Sequence, residues 1–153
     1  MTEYHFETIW ELEAEINAVW DLIEDADAWP EWWRGVVESR EIRKGDADGI
    51  GSLRVTRWRS VLPYTLEFET EVVAVDRLRR IEIVARGELN GRGIWLFDDK
   101  GGVTEVRYLW TVRTEPRWMN LIAPIARPVF RWNHDAIMRQ GELGLRMRLG
   151  PRS

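Results

Sequence analysis

Hydrophobic and polar residues alternate in several short runs along the first three quarters of the chain. The first run, residues 4–12, has mostly apolar residues at alternate positions, with Ile9 as the exception, which is typical of a strand with one buried face. Similar runs, each bounded by turn residues, predict further strands at 36–43, 51–59, 64–75, 80–88, 93–97 and 103–113. The short connections between them favour antiparallel pairing in one sheet of about seven strands.

Glycine-containing segments lie where this sheet needs turns. Asn90-Gly91 is predicted to be the turn between the fifth and sixth strands, and residues 45–49 and 98–102 are predicted to form two others. Glycine and asparagine tolerate the positive φ angles that such turns require.

Helical spacing occurs in two places. Residues 14–24 form an amphipathic pattern, and a second short turn follows in the motif Trp29-Pro30-Glu31-Trp32-Trp33, so two short helices are predicted after the first strand. Residues 118–149 predict one long helix. Pro124 and Pro128 each remove a backbone donor, so we expect a kink or break near residues 123–127.

One stripe of the long helix is made of small and apolar side chains. At about 100° per residue, six side chains share a narrow sector, with Asn133 and His134 on its two flanks. Small side chains leave space between a helix and a sheet, so the stripe predicts a cavity there. The sector contains Met119, Ala123, Ala126, Phe130, Ile137 and Gly141.

Length and composition exclude several classes of protein. The 153 residues predict a single domain spanning 1–153, without cysteine and with only two histidines, so we expect neither a metal centre nor another cofactor. No run approaches the ~18 apolar residues of a membrane span, and no leader is visible at the start. The expectation is a cytoplasmic protein that does not insert stably into membranes.

Charge is distributed unevenly along the chain. Residues 1–116 carry 24 acidic and 15 basic side chains (net −9), whereas residues 117–153 carry 2 and 7 (net +5). Cations such as Arg146 and Arg148 near the end of a helix offset its dipole, and attraction to an anionic ligand or membrane surface is the alternative interpretation. The acidic sheet argues against nucleic acid as a partner.

Several motifs together resemble a known group of proteins. They are Ala14-x-x-x-x-Val19-Trp20, Trp29-Pro30-x-Trp32-Trp33, Gly49-x-Gly51, Leu62-Pro63-Tyr64 and Phe130-Arg131-Trp132-Asn133-His134-Asp135. With the order of elements, they make the chain similar to the START-like helix-grip superfamily (SRPBCC), in its polyketide cyclase/dehydrase-like bacterial branch.

The resemblance implies an α+β fold in which a curved antiparallel sheet of about seven strands wraps around a long C-terminal helix, with two short helices after the first strand. Members of the superfamily bind hydrophobic molecules such as lipids, sterols and polyketides between sheet and helix. Only some of them catalyse cyclisation or dehydration, so the fold does not decide between carrying and converting a ligand.

The leading hypothesis is a protein that binds a small apolar or aromatic molecule. Aromatic residues recur on the strand faces that should oppose the small-residue stripe of the helix. We expect the cavity to be lined by Trp10, Tyr64, Phe68, Trp95, Tyr108, Trp110, Phe130, Asn133, His134 and Ile137.

The second hypothesis is an enzyme of the cyclase or dehydratase type. An imidazole beside a pocket can move protons near neutral pH, so His134 is the candidate acid or base. Asn133 and a tyrosine, Tyr64 or Tyr108, would hold a substrate carbonyl. The alternative is that His134 and Asn133 are buried hydrogen-bonding residues and that the tyrosines only pack.

Two other groups of residues have alternative interpretations. Arg57 and Arg59 either enter the cavity mouth, where they would pair with an anionic ligand, or point outward beside glutamates of the next strand. Trp29, Trp32 and Trp33 form either a wall of the cavity entrance or a plug that seals one end of the core.

A third hypothesis is a docking surface on the long helix. Four apolar residues fall largely outside the inward stripe and would form an exposed patch for a protein partner, for a second copy of the chain in a homodimer, or for a membrane surface. They are Trp118, Leu121, Ile125 and Trp132.

Overall fold

Seven strands, two short helices and one long helix follow one another in the predicted order. The computed structural model describes residues 2–59, 65–114 and 123–150, with side chains except at positions 2, 114 and 123–127. The strands are β1 (Thr2–Leu12), β2 (Val36–Arg43), β3 (Leu53–Arg59), β4 (Thr65–Asp76), β5 (Arg80–Gly87), β6 (Leu89–Asp99) and β7 (Thr104–Thr114). Helices α1 (Ile16–Glu24) and α2 (Trp29–Trp32) flank a 3₁₀ turn (Ala26–Ala28), and α3 is Ala123–Leu149.

All strands pair antiparallel in one sheet, in the order β1-β7-β6-β5-β4-β3-β2. The register aligns the inward positions of neighbouring strands, so that Phe6 pairs with Trp110, Trp110 with Gly93, and Gly93 with Ile83. Rows of this kind form the apolar face that packs against α3. The predicted α+β helix-grip architecture is therefore confirmed.

The turn predicted at Asn90-Gly91 is wrong, because both residues lie inside β6. The chain instead reverses at Gly87, where φ is +123°, and Glu88. Gly91 serves another purpose, since a Cβ at this position would collide with the carbonyl oxygen of Thr111 on β7. The glycine permits a close approach of two strands, and β6 begins four residues earlier than the predicted range of 93–97.

The long helix is continuous from Ala123 to Leu149, so the predicted break is wrong, while a kink at the prolines stays a prediction. Pro124 falls in its first turn, where a missing backbone donor costs little, and Pro128 removes only one interior hydrogen bond. Residues 118–122 of the predicted helix lie outside the described residues.

Trp33, directly after α2, is the centre of an indole cluster. Its ring is 1% exposed, and ring centroids lie 5.0 Å away at Trp58 and 5.2 Å away at Trp29. Trp10, Trp32 and Trp95 complete the surrounding set. The Nε1 of Trp33 donates a 2.9 Å hydrogen bond to the carbonyl of Ile137 in α3, so the buried indole has its polar group satisfied.

Two glycines of α3 make room for this contact. A Cβ at Gly141 would lie 2.6 Å from the Trp33 ring, and a Cβ at Gly144 would collide with the carbonyl oxygen of Trp32. The segment 32–33 therefore packs directly on the helix backbone. Glycine is otherwise unfavourable inside a helix by about 1 kcal/mol relative to alanine, so both positions sacrifice helix propensity for close packing.

The exposed docking patch can be described only in part. Trp132 is 57% exposed, as predicted, whereas Trp118 and Leu121 lie outside the described residues and the side chain of Ile125 is among those not described. Among the described helices, none has both the length and the apolar character that crossing a membrane requires.

The glycine contacts predict that two Gly→Ala substitutions in α3 destabilise the protein. Gly→Ala in a helix normally stabilises, but Gly141→Ala and Gly144→Ala should each lower the free energy of unfolding by about 1–3 kcal/mol, because the added methyl group overpacks the contact with residues 32–33. Urea unfolding measures the change. Arg139→Ala, an exposed position on the same helix, is the control and should change stability by no more than about 0.5 kcal/mol. An increase in stability for both glycine variants would contradict the proposed packing.

Candidate functional site

A cavity of about 490 Å³ lies between the inner face of the sheet and α3. Volumes of this size suit a drug-sized ligand. Strands β3 to β7 supply the largest share of the wall, and β1, α3, Trp29 and Trp33 supply further apolar parts. The end of α1, the 3₁₀ turn and the segment 41–52 complete the lining. The sheet curves away from the helix here, so the two do not meet along their whole length.

Eight of the ten predicted site residues line this cavity. They are Phe68, Trp95, Tyr108, Trp110, Phe130, Asn133, His134 and Ile137. Tyr64 lies outside the described residues. Trp10 is an exception, because it lies in the core behind the wall, 2% exposed, with Trp33 and Trp95 each 5.7 Å away.

Aromatic rings of adjacent strands form one continuous wall. Tyr108 stacks on Trp95 at 4.2 Å and on Trp110 at 5.9 Å, and Phe68 lies 6.0 Å from Trp110. The cross-strand register places these rings side by side, because aromatic side chains two residues apart on β7 share the inner face. The wall offers apolar aromatic surface to a ligand.

Three indoles lining the cavity have their N–H groups bonded within the protein. Trp29 donates to the carbonyl of Ile23 at 3.0 Å, and Trp58 donates to Thr56 Oγ1 at 3.0 Å. Trp33 donates to the carbonyl of Ile137 in α3. Trp32 does not line the cavity and is buried against α3. Of the three tryptophans at positions 29–33, Trp29 and Trp33 therefore belong to the cavity wall, whereas Trp32 packs in the core as the alternative interpretation expects.

Tyr108 places its hydroxyl over the one glycine of β6 that can accept it. A Cβ at Gly93 would lie 2.6 Å from the Tyr108 Oη, so only glycine leaves room for the phenol in this orientation. Burial raises the pKa of Tyr108 above its ordinary value, because the phenolate would lose its hydration. The hydroxyl is therefore neutral at physiological pH and can donate a hydrogen bond.

Asn133 and His134 are the polar residues that α3 contributes to the cavity. Asn133 is 7% exposed, and its Oδ1 is buried without a hydrogen-bond partner among the described residues. The ring of His134 stacks on Phe6 with centroids 4.1 Å apart. Its Nδ1 is also buried and lies 3.8 Å from the nearest carboxylate oxygen of Asp135, beyond hydrogen-bond distance.

The charge state of His134 follows from this environment. Burial lowers its pKa to about 4, and the carboxylate of Asp135 opposes that shift only in part. The ring is therefore neutral near pH 7. It can accept a proton, but it holds no extra proton to give, so a role as base fits better than a role as acid.

The exposed end of the cavity is rich in charged side chains. Arg54 donates to Asp27 Oδ1 at 2.6 Å and to Ser39 Oγ at 3.0 Å, which ties β3 to the 3₁₀ turn and to β2. The remaining charged lining residues are solvent-exposed. They are Glu24, Asp25, Glu41, Lys44, Asp46 and Asp48, and together with Asp27 their carboxylates are called the acidic rim below.

Of the two interpretations of Arg57 and Arg59, the outward one agrees with the structure. Both are exposed, and Arg57 pairs with Glu67 at 3.1 Å and with Glu38 at 3.4 Å on the outer face. The inward positions of β3 are occupied by Arg54, Thr56 and Trp58. Trp58, the largest apolar side chain of that strand, could have identified the inner face from the sequence.

The described residues provide no evident metal site. No three His, Asp or Glu side chains of the described ranges are grouped closely enough to hold a metal ion. Besides the charged rim, the cavity offers apolar aromatic surface, the His134 imidazole, the Asn133 amide and the side chains of two tyrosines, Tyr4 and Tyr108.

Comparison with known proteins points to one family. The sequence profile of the family described as "Polyketide cyclase / dehydrase and lipid transport" matches residues 4–144. No curated protein is similar enough in sequence to count as a match.

Several solved structures share the fold at low sequence identity. A START superfamily protein from Mycobacterium smegmatis has a TM-score of 0.77 and 13% identity, with 95% of this chain and 96% of that chain covered. A protein from Thermus thermophilus has a TM-score of 0.72 and 16% identity, with 97% and 100% covered. The Zhui aromatase/cyclase from Streptomyces sp. R1128 has a TM-score of 0.72 and 11% identity, with 97% of each chain covered.

The lowered pKa of His134 predicts a pH dependence of stability. Between about pH 6.5 and pH 4 the unfolded ring takes up a proton while the folded ring stays neutral, so the free energy of unfolding should fall as the pH falls through this window. The loss attributable to His134 is at most about 3 kcal/mol. Urea unfolding of wild type and His134→Gln at a series of pH values isolates it, because contributions from carboxylates cancel in the difference. A difference that does not vary with pH would show that the ring is not held neutral.

Proposed function

Because the chain belongs to the polyketide cyclase / dehydrase and lipid transport family of the START-like (SRPBCC) superfamily, we propose that it binds one small hydrophobic or aromatic molecule, lipid-like or polyketide-like, in the cavity. The observation that carries the proposal is the continuous aromatic wall around about 490 Å³ of space. A protein interior is normally close-packed, so a void of this size between well-packed elements gives up stability that a ligand can restore.

The lining also indicates how such a ligand would be held. The stacked rings on β6 and β7 supply apolar surface, and the indole N–H groups of Trp29, Trp33 and Trp58 are occupied by protein acceptors. Binding would therefore depend chiefly on burial of apolar area, at roughly 25 cal/mol per Å², and on ring packing.

Binding can be tested by filling the cavity. N-phenyl-1-naphthylamine is an uncharged probe whose fluorescence rises in apolar surroundings, and wild type should bind it. Val72 lines the cavity from β4, so Val72→Trp should weaken probe binding at least about tenfold, a loss of about 1.4 kcal/mol, because the new indole takes space that the probe needs.

Val73→Trp is the matched control. Val73 is the next residue of the same strand, is 37% exposed and does not line the cavity, so this variant should bind the probe as wild type does. Circular dichroism of both variants checks that the sheet is retained. Equal binding by wild type and both variants would place the probe elsewhere and count against the cavity.

A second candidate function is proton transfer in a cyclase or dehydratase reaction, and His134 is the observation that favours it. A neutral imidazole beside the aromatic wall can remove a proton from the carbon next to a ligand carbonyl, while the Tyr108 hydroxyl or the Asn133 amide donates to the enolate oxygen that forms. The low pKa of His134 limits the driving force for that step.

Exchange of carbon-bound hydrogen tests this chemistry without knowledge of the natural substrate. 2-Tetralone is a bicyclic aromatic ketone, and nuclear magnetic resonance in deuterated water follows deuterium entering at its α-carbon. Wild type should accelerate the exchange, and His134→Gln should reduce that acceleration on the order of 10²-fold, the low end for general base catalysis. The same protein-dependent rate in His134→Gln would exclude His134 as the base and leave a binding protein.

A further inference from the structure

The buried end of the cavity contains an acceptor without a donor. Asn133 is more than nine-tenths buried and lines the cavity, and its Oδ1 has no hydrogen-bond partner among the described residues. The adjacent residue repeats the pattern, since the Nδ1 of His134 is buried and unbonded within the described part of the chain. A buried polar group without a partner is costly, and such groups are few in native proteins.

Neither residue has an evident structural reason to be polar. Phe6 stacks on the His134 ring, and the neighbouring lining residues Phe130 and Ile137 are apolar. A leucine in place of Asn133 has the same branching and number of side-chain heavy atoms, and it would leave no buried oxygen unpaired. Retention of an amide here is explained if a bound molecule completes its hydrogen bonds.

The other end of the cavity constrains the charge of that molecule. Among the described lining residues, the acidic rim supplies six carboxylates, and Lys44 and Arg54 supply two cations, for a net charge of −4. Arg54, the less exposed of the two, is already paired with Asp27. An entering anion would pass carboxylates and would meet no unpaired buried cation among the residues described.

From these two observations we propose that the cavity is selective for an uncharged aromatic molecule carrying a hydroxyl group, which hydrogen-bonds the Asn133 amide, and that it rejects carboxylates. This inference rests on the proposed binding function and adds the polarity and charge of the ligand. A hydroxyl both donates and accepts, so it satisfies the amide in either orientation. A carboxylate only accepts, cannot pair with Oδ1, and would lose its hydration in the apolar interior.

A buried polar group lets a site distinguish a ligand with a hydroxyl group from the same ligand without one. A ligand that lacks the hydroxyl leaves the amide unpaired, whereas the matching ligand avoids that penalty. Rejection of carboxylates has two sources, repulsion by the rim and desolvation inside. Only the first of these is screened by salt.

Three ligands with one ring system test the proposal: naphthalene, 2-naphthol and 2-naphthoate, each used to displace N-phenyl-1-naphthylamine near neutral pH. Wild type should bind 2-naphthol at least about fivefold more tightly than naphthalene and at least about tenfold more tightly than 2-naphthoate. In Asn133→Leu the preference for 2-naphthol over naphthalene should disappear, while naphthalene binds as well as before or better.

Two controls separate this effect from general damage. Gln140→Leu makes the same type of change on the same helix at a residue that does not line the cavity, and it should retain the preference for 2-naphthol. Thermal unfolding of Asn133→Leu without ligand should show a melting temperature no lower than that of wild type, because removing an unpaired buried amide relieves a cost. A lower melting temperature would indicate that Asn133 has a structural role.

A rim variant tests the electrostatic part. Glu24→Gln with Asp48→Asn removes two exposed carboxylates that form no ion pair within the described residues, and it should tighten 2-naphthoate binding severalfold while leaving naphthalene unchanged.

The outcomes are distinguishable. If naphthalene does not bind, the binding function itself fails and this inference falls with it. If naphthalene binds but 2-naphthol gains nothing, if the preference survives in Asn133→Leu, or if 2-naphthoate binds most tightly, the binding function stands and this inference alone is overturned.

Discussion

The packing of the Trp33 indole on the backbone of α3 determines how the sheet and the helices lie against one another. Trp33 is held by a hydrogen bond to the Ile137 carbonyl, and Gly141 and Gly144 allow it and the preceding residue to approach α3 more closely than any side chain would permit. The indole also touches rings from β1, β3 and β6. Sheet, short helices and long helix are therefore fixed relative to one another through a single buried side chain.

The cavity is a consequence of where this contact lies. Trp33 and Gly141 bring the later turns of α3 against the core, with Leu145 wholly buried, while Phe130 and His134 lie on earlier turns that border the cavity. A helix held firmly near one end and bordered by space near the other leaves the void without loosening the rest of the core. Asn133 and His134 lie on these earlier turns and line the cavity, where a bound small molecule can reach them.

Much of the fold could be predicted from the chain because alternation and helical spacing are local signals. Segments such as Thr65–Asp76 and Thr104–Thr114 match their predicted strands closely, and eight of ten expected residues line the cavity. The errors arise where contacts with another strand or helix determine the role of a residue. Gly91 resembles a turn residue, but its role depends on the approach of β7, and Trp10 resembles a wall residue, but two other indoles lie in front of it.

The inner face of β3 shows a further limit. Leu53 and Val55 suggest one face and Thr56 and Trp58 the other. The size of Trp58 favours the second face, and pairing with β4, where Thr56 lies opposite Phe68, agrees with it. Similarly, the missing partner of Asn133 cannot be seen in a sequence, because it is a property of every atom packed around the amide. Residue types were enough to predict most of the side chains that line the cavity, but only the packing shows which of their polar atoms lack a partner.

The pairing of β1 with β7 has a consequence for how the chain folds. Thr2 lies opposite Thr114, so the first described strand pairs with the last, and within the described residues β1 lies at the edge of the sheet. Contacts so distant in sequence are slow to form because the loop between them must be ordered first. On the ribosome β1 is synthesised before β7, so the edge that pairs with β7 stays without that partner until β7 emerges. This topology therefore requires that the unpaired edge of β1 be protected during synthesis, by transient non-native contacts or by a chaperone.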